Sequence, residues 1–174
     1  MNKIGILFFA LSTMGIGTLS AQTADSTQTS PWTKEGFAGL KLTQVSLTNW
    51  AAGGDNAVGF NLQFNYFANY KKAKHLWNNR LELDYGLNKT KSDGTKKTND
   101  KIYLSSTYGY EIAKNWYASG LMTFQTQFAK GYDYSVDPDV FISRFMSPGY
   151  LLIGAGFTWT PKSWFTATFT PATW

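Results

Sequence analysis

The sequence predicts an all-β protein, an antiparallel up-and-down transmembrane β-barrel with seven strands visible. Three observations predict it. Residues 58–70 alternate apolar side chains with small or polar ones, the period of a strand whose two faces meet different surroundings. Further segments repeat the pattern, and the connections between them alternate long and short. Aromatic rings gather at strand ends beside the short connections, where an outer-membrane barrel carries an interfacial girdle.

The clearest strand covers residues 57–70. Val58, Phe60, Leu62, Phe64, Tyr66, Ala68 and Tyr70 fall on one face. Gly59, Asn61, Gln63, Asn65, Phe67 and Asn69 fall on the other. At roughly 3.3 Å per residue it spans about 43 Å, long for a soluble sheet and ample for a tilted strand crossing a bilayer. A helix would scatter these apolar residues around its axis.

The chain has 174 residues, about one domain. Residues 1–21 read as a signal peptide: Lys3 gives the positive start, an apolar run follows, and Leu19-Ser20-Ala21 forms a cleavage site. An exported chain with no Cys has neither a disulfide framework nor a lipid-bearing thiol, which suits a bacterial envelope. The formal net charge is +5, but no basic run interleaves with stacking aromatics, so nucleic acid is not an expected partner. The single His excludes a multi-His metal site and most His-based catalysis.

In chain order, residues 22–35 are a Ser-, Thr- and Gln-rich flexible leader, and 36–174 form the barrel domain. Residues 36–47 make a first strand whose phase slips between Leu42 and Val45, so a bulge is expected near Thr43. Residues 48–56 are a loop and 71–75 a short basic turn. The third strand, 76–88, places Trp77, Leu81, Leu83, Tyr85 and Leu87 opposite Asn78, Arg80, Glu82, Asp84, Gly86 and Asn88. Residues 89–100 are expected to be a polar loop around an Asp93-Gly94 turn. The fourth strand, 101–112, and the fifth, 116–128, flank a tight turn at 113–115, with Leu121 out of phase. Residues 129–149 are the longest connection. A sixth strand at 150–160, a turn at Pro161-Lys162 and a seventh strand at 164–170 complete the reading.

Long connections then share one rim and short ones the other, as in outer-membrane barrels. Single-chain bacterial barrels have an even strand count, and hydrocarbon does not tolerate open sheet edges. Seven strands therefore lead us to expect a chain cut short at its C-terminus, with at least eight strands in the complete protein.

Three segments carry a resemblance: V-S-L-T-N-W-A-A-G-G-D-N at residues 45–56, F-A-N-Y at 67–70 and F-I-S-R-F-M-S-P-G-Y-L at 141–151. The chain resembles, over about residues 32–174, an uncharacterised Bacteroidota outer-membrane family, domain of unknown function 3078. The resemblance implies a barrel and a longer chain. It supplies no activity, ligand or catalytic residue.

Arg80, Glu82 and Asp84 recur at spacing two and so share the lumen face of one strand. Glu111 joins them if neighbouring strands bring it close. They read either as a solute-contact cluster in a pore or as mutually paired interior charges. Asn49, Trp50, Gly53 and Gly54 form the family-like loop motif, a recognition site or a loop closure. Asp133, Asp137 and Asp139 lack the Gly and terminal Glu of a calcium loop, and no metal or cofactor is expected. A hydrolase would need a base near a Ser nucleophile; His75 has no visible partner, so no enzyme activity is expected.

The expected function is that of an outer-membrane barrel, a channel or transport type. The alternatives are a structural or adhesion barrel acting through its outer loops, or a soluble exported lipocalin-like binding protein. Expected partners are outer-membrane lipid and lipopolysaccharide, which the loop lysines Lys89, Lys91, Lys96 and Lys97 could touch, and the barrel-assembly machinery during insertion.

Overall fold

The structure, a computed structural model, describes residues 30–47, 54–136 and 138–174. The signal peptide and most of the leader lie outside the described residues. So do Asn49, Trp50, Gly53 and Asp137.

Among the described residues nine strands form: β1 (Trp32–Val45), β2 (Ala57–Lys72), β3 (His75–Thr90), β4 (Gly94–Ala113), β5 (Trp116–Thr126), β6 (Gly131–Asp133), β7 (Val140–Ser143), β8 (Tyr150–Lys162) and β9 (Phe165–Thr173). No helix occurs among the described residues. Seven strands make one antiparallel sheet in the order β1-β2-β3-β4-β5-β8-β9, and β6 and β7 form a separate small hairpin. Apart from β5 with β8, which the β6–β7 hairpin separates in sequence, each ladder joins neighbours along the chain, as expected of an up-and-down meander. The sheet is open: β1 and β9 are its edges and do not pair with each other.

Several boundaries differ from the sequence reading. β1 begins inside the expected leader and runs without a register shift from Trp32↔Tyr70 to Val45↔Ala57, so no bulge forms at Thr43. Val45 simply stays on the face of Lys41 and Thr43. The expected polar loop at 89–100 is mostly strand. β3 and β4 continue as a projecting hairpin, a bulge near Gly86 and Leu87 shifts their register, and only Lys91–Asp93 turn. Backbone pairing sustains these strands where no apolar face signals them. β5 ends at Thr126, and the connection after it contains the β6–β7 hairpin. β8 continues through Pro161, and the turn falls at Ser163 and Trp164. β9 continues through Pro171. Both prolines sit beside bulges on the edge ladder, where a missing N–H is tolerated.

The register fixes two faces. One carries Leu40, Leu42, Phe60, Leu62, Phe64, Leu81, Leu83, Leu104, Phe124, Leu151, Ile153 and Phe157. The other carries Asn61, Gln63, Asn65, Arg80, Glu82, Asp84, Ser105, Thr107, Thr123 and Gln125, with Leu121 among them. Burial is inverted relative to a soluble sheet. Leu76, Glu82, Tyr117, Ser119 and Thr158, all on the polar face, are buried. On the apolar face Leu42 is 67% exposed, Val58 60% and Leu151 58%. Thr126 is the buried exception on that face, bonded to Pro148 and Met146 of the long connection. The sheet therefore gathers its polar side chains together and splays its apolar ones outward.

Aromatic rings cross the apolar face at the short-turn end. Trp32 meets Tyr70 at 5.1 Å and Trp77 at 5.7 Å. Tyr108 and Tyr110 follow on β4, Trp116 stacks on Trp159 at 5.7 Å, and Phe165 meets Trp159 at 6.0 Å. The belt thus touches all seven strands. Near the long-connection end, Tyr85 meets Phe60 and Phe128, each at 6.4 Å. From Tyr70 back to Phe60, β2 covers about 33 Å, or roughly 25 Å along the normal at a 40° tilt, the height of a barrel's apolar band.

Candidate functional site

The densest polar chemistry lies mid-sheet on the polar face. Alternation puts Arg80, Glu82 and Asp84 on one side of β3. The antiparallel register then places Ser105, Tyr103 and Lys101 of β4 opposite them. Glu82 is the hub. One carboxylate oxygen pairs with Arg80 Nη2, and the other accepts from Lys101 Nζ at 2.5 Å. The Glu82 side chain is 11% exposed, whereas those of Arg80 and Lys101 are 53% and 42% exposed. The carboxylate is thus sunk between two cations whose heads remain accessible. Arg80 also lies over the Phe67 ring at 5.6 Å and Lys101 over Tyr103 at 5.8 Å, contacts that orient the cations.

Asp84 is held differently. Asn61 Nδ2 donates to its Oδ1 at 2.6 Å, and Asn99 Nδ2 lies at 3.5 Å from the same oxygen. Glu111 does not join the cluster. It stands further along β4 than Ser105, the partner of Arg80, by about 20 Å. Its carboxylate accepts the Asn115 N–H at 3.3 Å and closes the β4–β5 turn.

Sequence reasoning missed Lys101, because its contact with Glu82 is diagonal across a ladder whose register depends on the Lys91–Asp93 turn. Its alternation with Tyr103 did carry a signal: both fall on the polar phase of β4. Taken together, the face offers two accessible cations, amides, hydroxyls and ring faces to a polar solute. His75 has a partner after all: its Nδ1 lies 2.6 Å from the Tyr108 hydroxyl. That pair sits at the short-turn end and contains no Ser nucleophile.

A second polar group ties the long-connection end together. Asp100 accepts the Phe128 and Ala129 N–H groups at 2.6 and 3.0 Å, and Lys97 Nζ pairs with it at 2.5 Å. Lys97 also donates to the Ala129 carbonyl at 3.0 Å. A cavity of about 250 Å³ adjoins, lined by Lys97, Asn99, Asp100, Gln127, Tyr134 and Ser143. Of the loop motif, only Gly54 is described, with a φ of 126° that favours glycine. Next to it, Asp55 accepts the Ser92 N–H at 2.6 Å and so joins the β1–β2 loop to the β3–β4 turn. That bond, the strongest of several, holds its carboxyl below its ordinary value. Asp133 accepts both donors of Ser135, the hydroxyl at 2.6 Å, and its carboxyl is lowered chiefly by that bond. No cluster of three metal-type ligands occurs among the described residues.

Residues 42–132, from the end of β1 through most of β6, match a family described as "Protein of unknown function (DUF3078)". The match includes the loop motif and F-A-N-Y, and the segment at 141–151 lies beyond it. No curated protein and no solved structure matches. The chain belongs to the DUF3078 family.

Proposed function

We propose that this DUF3078 member forms the wall of a β-barrel in a bacterial outer membrane, of the Bacteroidota type its loop motif resembles. It acts there as a channel or transport-type barrel and not as an enzyme. The observation that carries the reading is the inverted burial. A sheet that exposes Leu42, Val58, Leu62 and Leu151 to water while burying Glu82 and Thr158 leaves a large apolar surface unpaired, which water penalises and lipid does not. The belts of Trp32, Tyr70, Trp77, Trp116 and Trp159 and of Phe60, Tyr85 and Phe128 support it, at a spacing that suits the hydrocarbon band. In this reading Arg80, Lys101 and the amides of β2 line the interior. Lipid and lipopolysaccharide surround the outside, and the assembly machinery inserts the chain after signal-peptide cleavage.

A paired substitution tests the reading. Phe64→Arg, near the middle of the apolar face, should cost about 2–4 kcal/mol in vesicle-based urea unfolding, and Gln63→Arg on the opposite face much less. Equal costs at the two sites would sink it, as would full solubility of the native protein without detergent. Conductance steps in planar bilayers would support an open lumen. A well-inserted but silent protein would instead mean a blocked barrel that works through its loops.

A further inference from the structure

The two ends of the sheet differ in charge. At the long-connection end acids and bases mix: Asp93 pairs with Lys96, and Asp100 with Lys97. At the short-turn end lysines predominate. Lys71, Lys72 and Lys74 crowd the β2–β3 turn, Lys114 sits in the β4–β5 turn and Lys162 precedes the β8–β9 turn. The acids nearby do not offset this rim. Glu35 stands on the polar face opposite Phe67, and Glu111 is turned to the Asn115 amide.

The backbone under these lysines is braced from strand to strand. The Lys71 N–H donates to the Pro31 carbonyl at 2.8 Å, Glu111 N–H to the Lys74 carbonyl at 2.8 Å, and Thr160 N–H to the Asn115 carbonyl at 2.9 Å. Lys74 Nζ lies over the Tyr110 ring at 5.9 Å. The cationic rim is therefore fixed immediately beyond the aromatic belt. At an interface that is the depth of lipid headgroups, with rings at the boundary and ammonium groups on the aqueous side.

We infer that the short-turn rim binds the phosphodiester headgroups of anionic glycerophospholipids, and so gives the barrel an annulus enriched in them. The inference rests on the membrane-barrel reading and adds a ligand class to it. Three features favour this occupant over a soluble anion. The lysines form a ring along the sheet edge and not a closed pocket. Each turn that carries them lies next to a belt aromatic. The exposed acid nearest the ring, Glu35, stands at the level of Phe67, four residues inboard of Lys71.

The belt tryptophans make the test direct. Full-length protein is folded in detergent micelles and titrated with phosphatidylglycerol or phosphatidylcholine bearing brominated acyl chains, which quench tryptophan on contact. At low salt, phosphatidylglycerol should quench at clearly lower concentration than phosphatidylcholine, and 0.5 M salt should remove the preference by screening. Combined Lys71→Gln, Lys72→Gln, Lys74→Gln, Lys114→Gln and Lys162→Gln should abolish the preference while leaving phosphatidylcholine quenching unchanged. Each lysine removed singly should lower the preference by up to roughly fivefold. Equal quenching by the two lipids, or a preference that survives in the combined variant, would overturn the inference while the barrel reading stands. In a parallel titration with brominated lipid A, a preference for lipid A alone would overturn it too and would place this rim against the lipopolysaccharide leaflet. Absence of quenching by either lipid would instead refute the barrel reading.

Discussion

Glu82 shows how unequal the members of one charge cluster are. It is the buried partner of two half-exposed cations. Removing it leaves Arg80 and Lys101 facing each other without an anion, whereas removing one cation leaves Glu82 still paired. Glu82→Gln should therefore cost more in urea unfolding, about 1–3 kcal/mol, than Arg80→Gln or Lys101→Gln, at about 1 kcal/mol or less each. A cost for Arg80→Gln equal to that for Glu82→Gln would contradict this hub arrangement. The apolar face has polar residues of its own, and three of them form a hydrogen-bonded chain. Trp77 Nε1 donates to Ser106 Oγ at 2.8 Å, Ser106 donates to Asn79 Oδ1 at 2.8 Å, and Asn79 Nδ2 donates to the Ala68 carbonyl at 3.0 Å. Such a chain lets Asn and Ser sit among apolar neighbours that offer them no partner. Ser106→Ala breaks two of its links and should destabilise by about 1–2 kcal/mol.

Among the elements, the faces of β2, β3, β5 and β8 were legible because a period of two survives any error in the turns. Two other things were not. The β3–β4 extension carries Lys, Thr, Asn and Asp on both sides, so hydrophobic alternation had nothing to mark. The β6–β7 hairpin depends on distant partners, and no segment of that length announces itself. Arg80, Glu82 and Asp84 were readable as one face because they share a strand. Lys101, the absence of Glu111 from the cluster, and the Asp100 latch all required a cross-strand register. At this scale the Asp55–Ser92 bond predicts a pH effect. The Asp55 carboxyl titrates below its ordinary 3.8, so the link is present above that value and is lost as pH falls through the lower folded value. Amide exchange at Ser92 should rise selectively in that acid range. Asp55→Asn should weaken the acid response, and an unchanged profile in that variant would remove Asp55 as its cause.

At the scale of the whole molecule, β1 and β9 run in the same direction, since six antiparallel ladders separate them. They cannot close on each other by another antiparallel ladder, so an antiparallel barrel needs an odd number of further strands between them. The β8–β9 ladder leaves little tolerance at this edge. A Cβ on Gly156 would collide with the Phe169 carbonyl oxygen and lie 2.7 Å from Thr170 Cα. Gly156→Ala should therefore loosen β9, seen as faster proteolysis after Lys162 with β1–β5 unaffected.

The neighbour-to-neighbour order of the sheet also bears on how the chain is made. Every ladder closes a loop between segments consecutive in sequence, apart from the small hairpin set into the β5–β8 connection. Loop-closure entropy is then met in small steps, and each added strand finds its template already in place. Such a chain can assemble from one margin to the other as it emerges, with only one unsatisfied backbone edge advancing at a time. What must be shielded from water meanwhile is that single moving front, together with the oily side that broadens behind it.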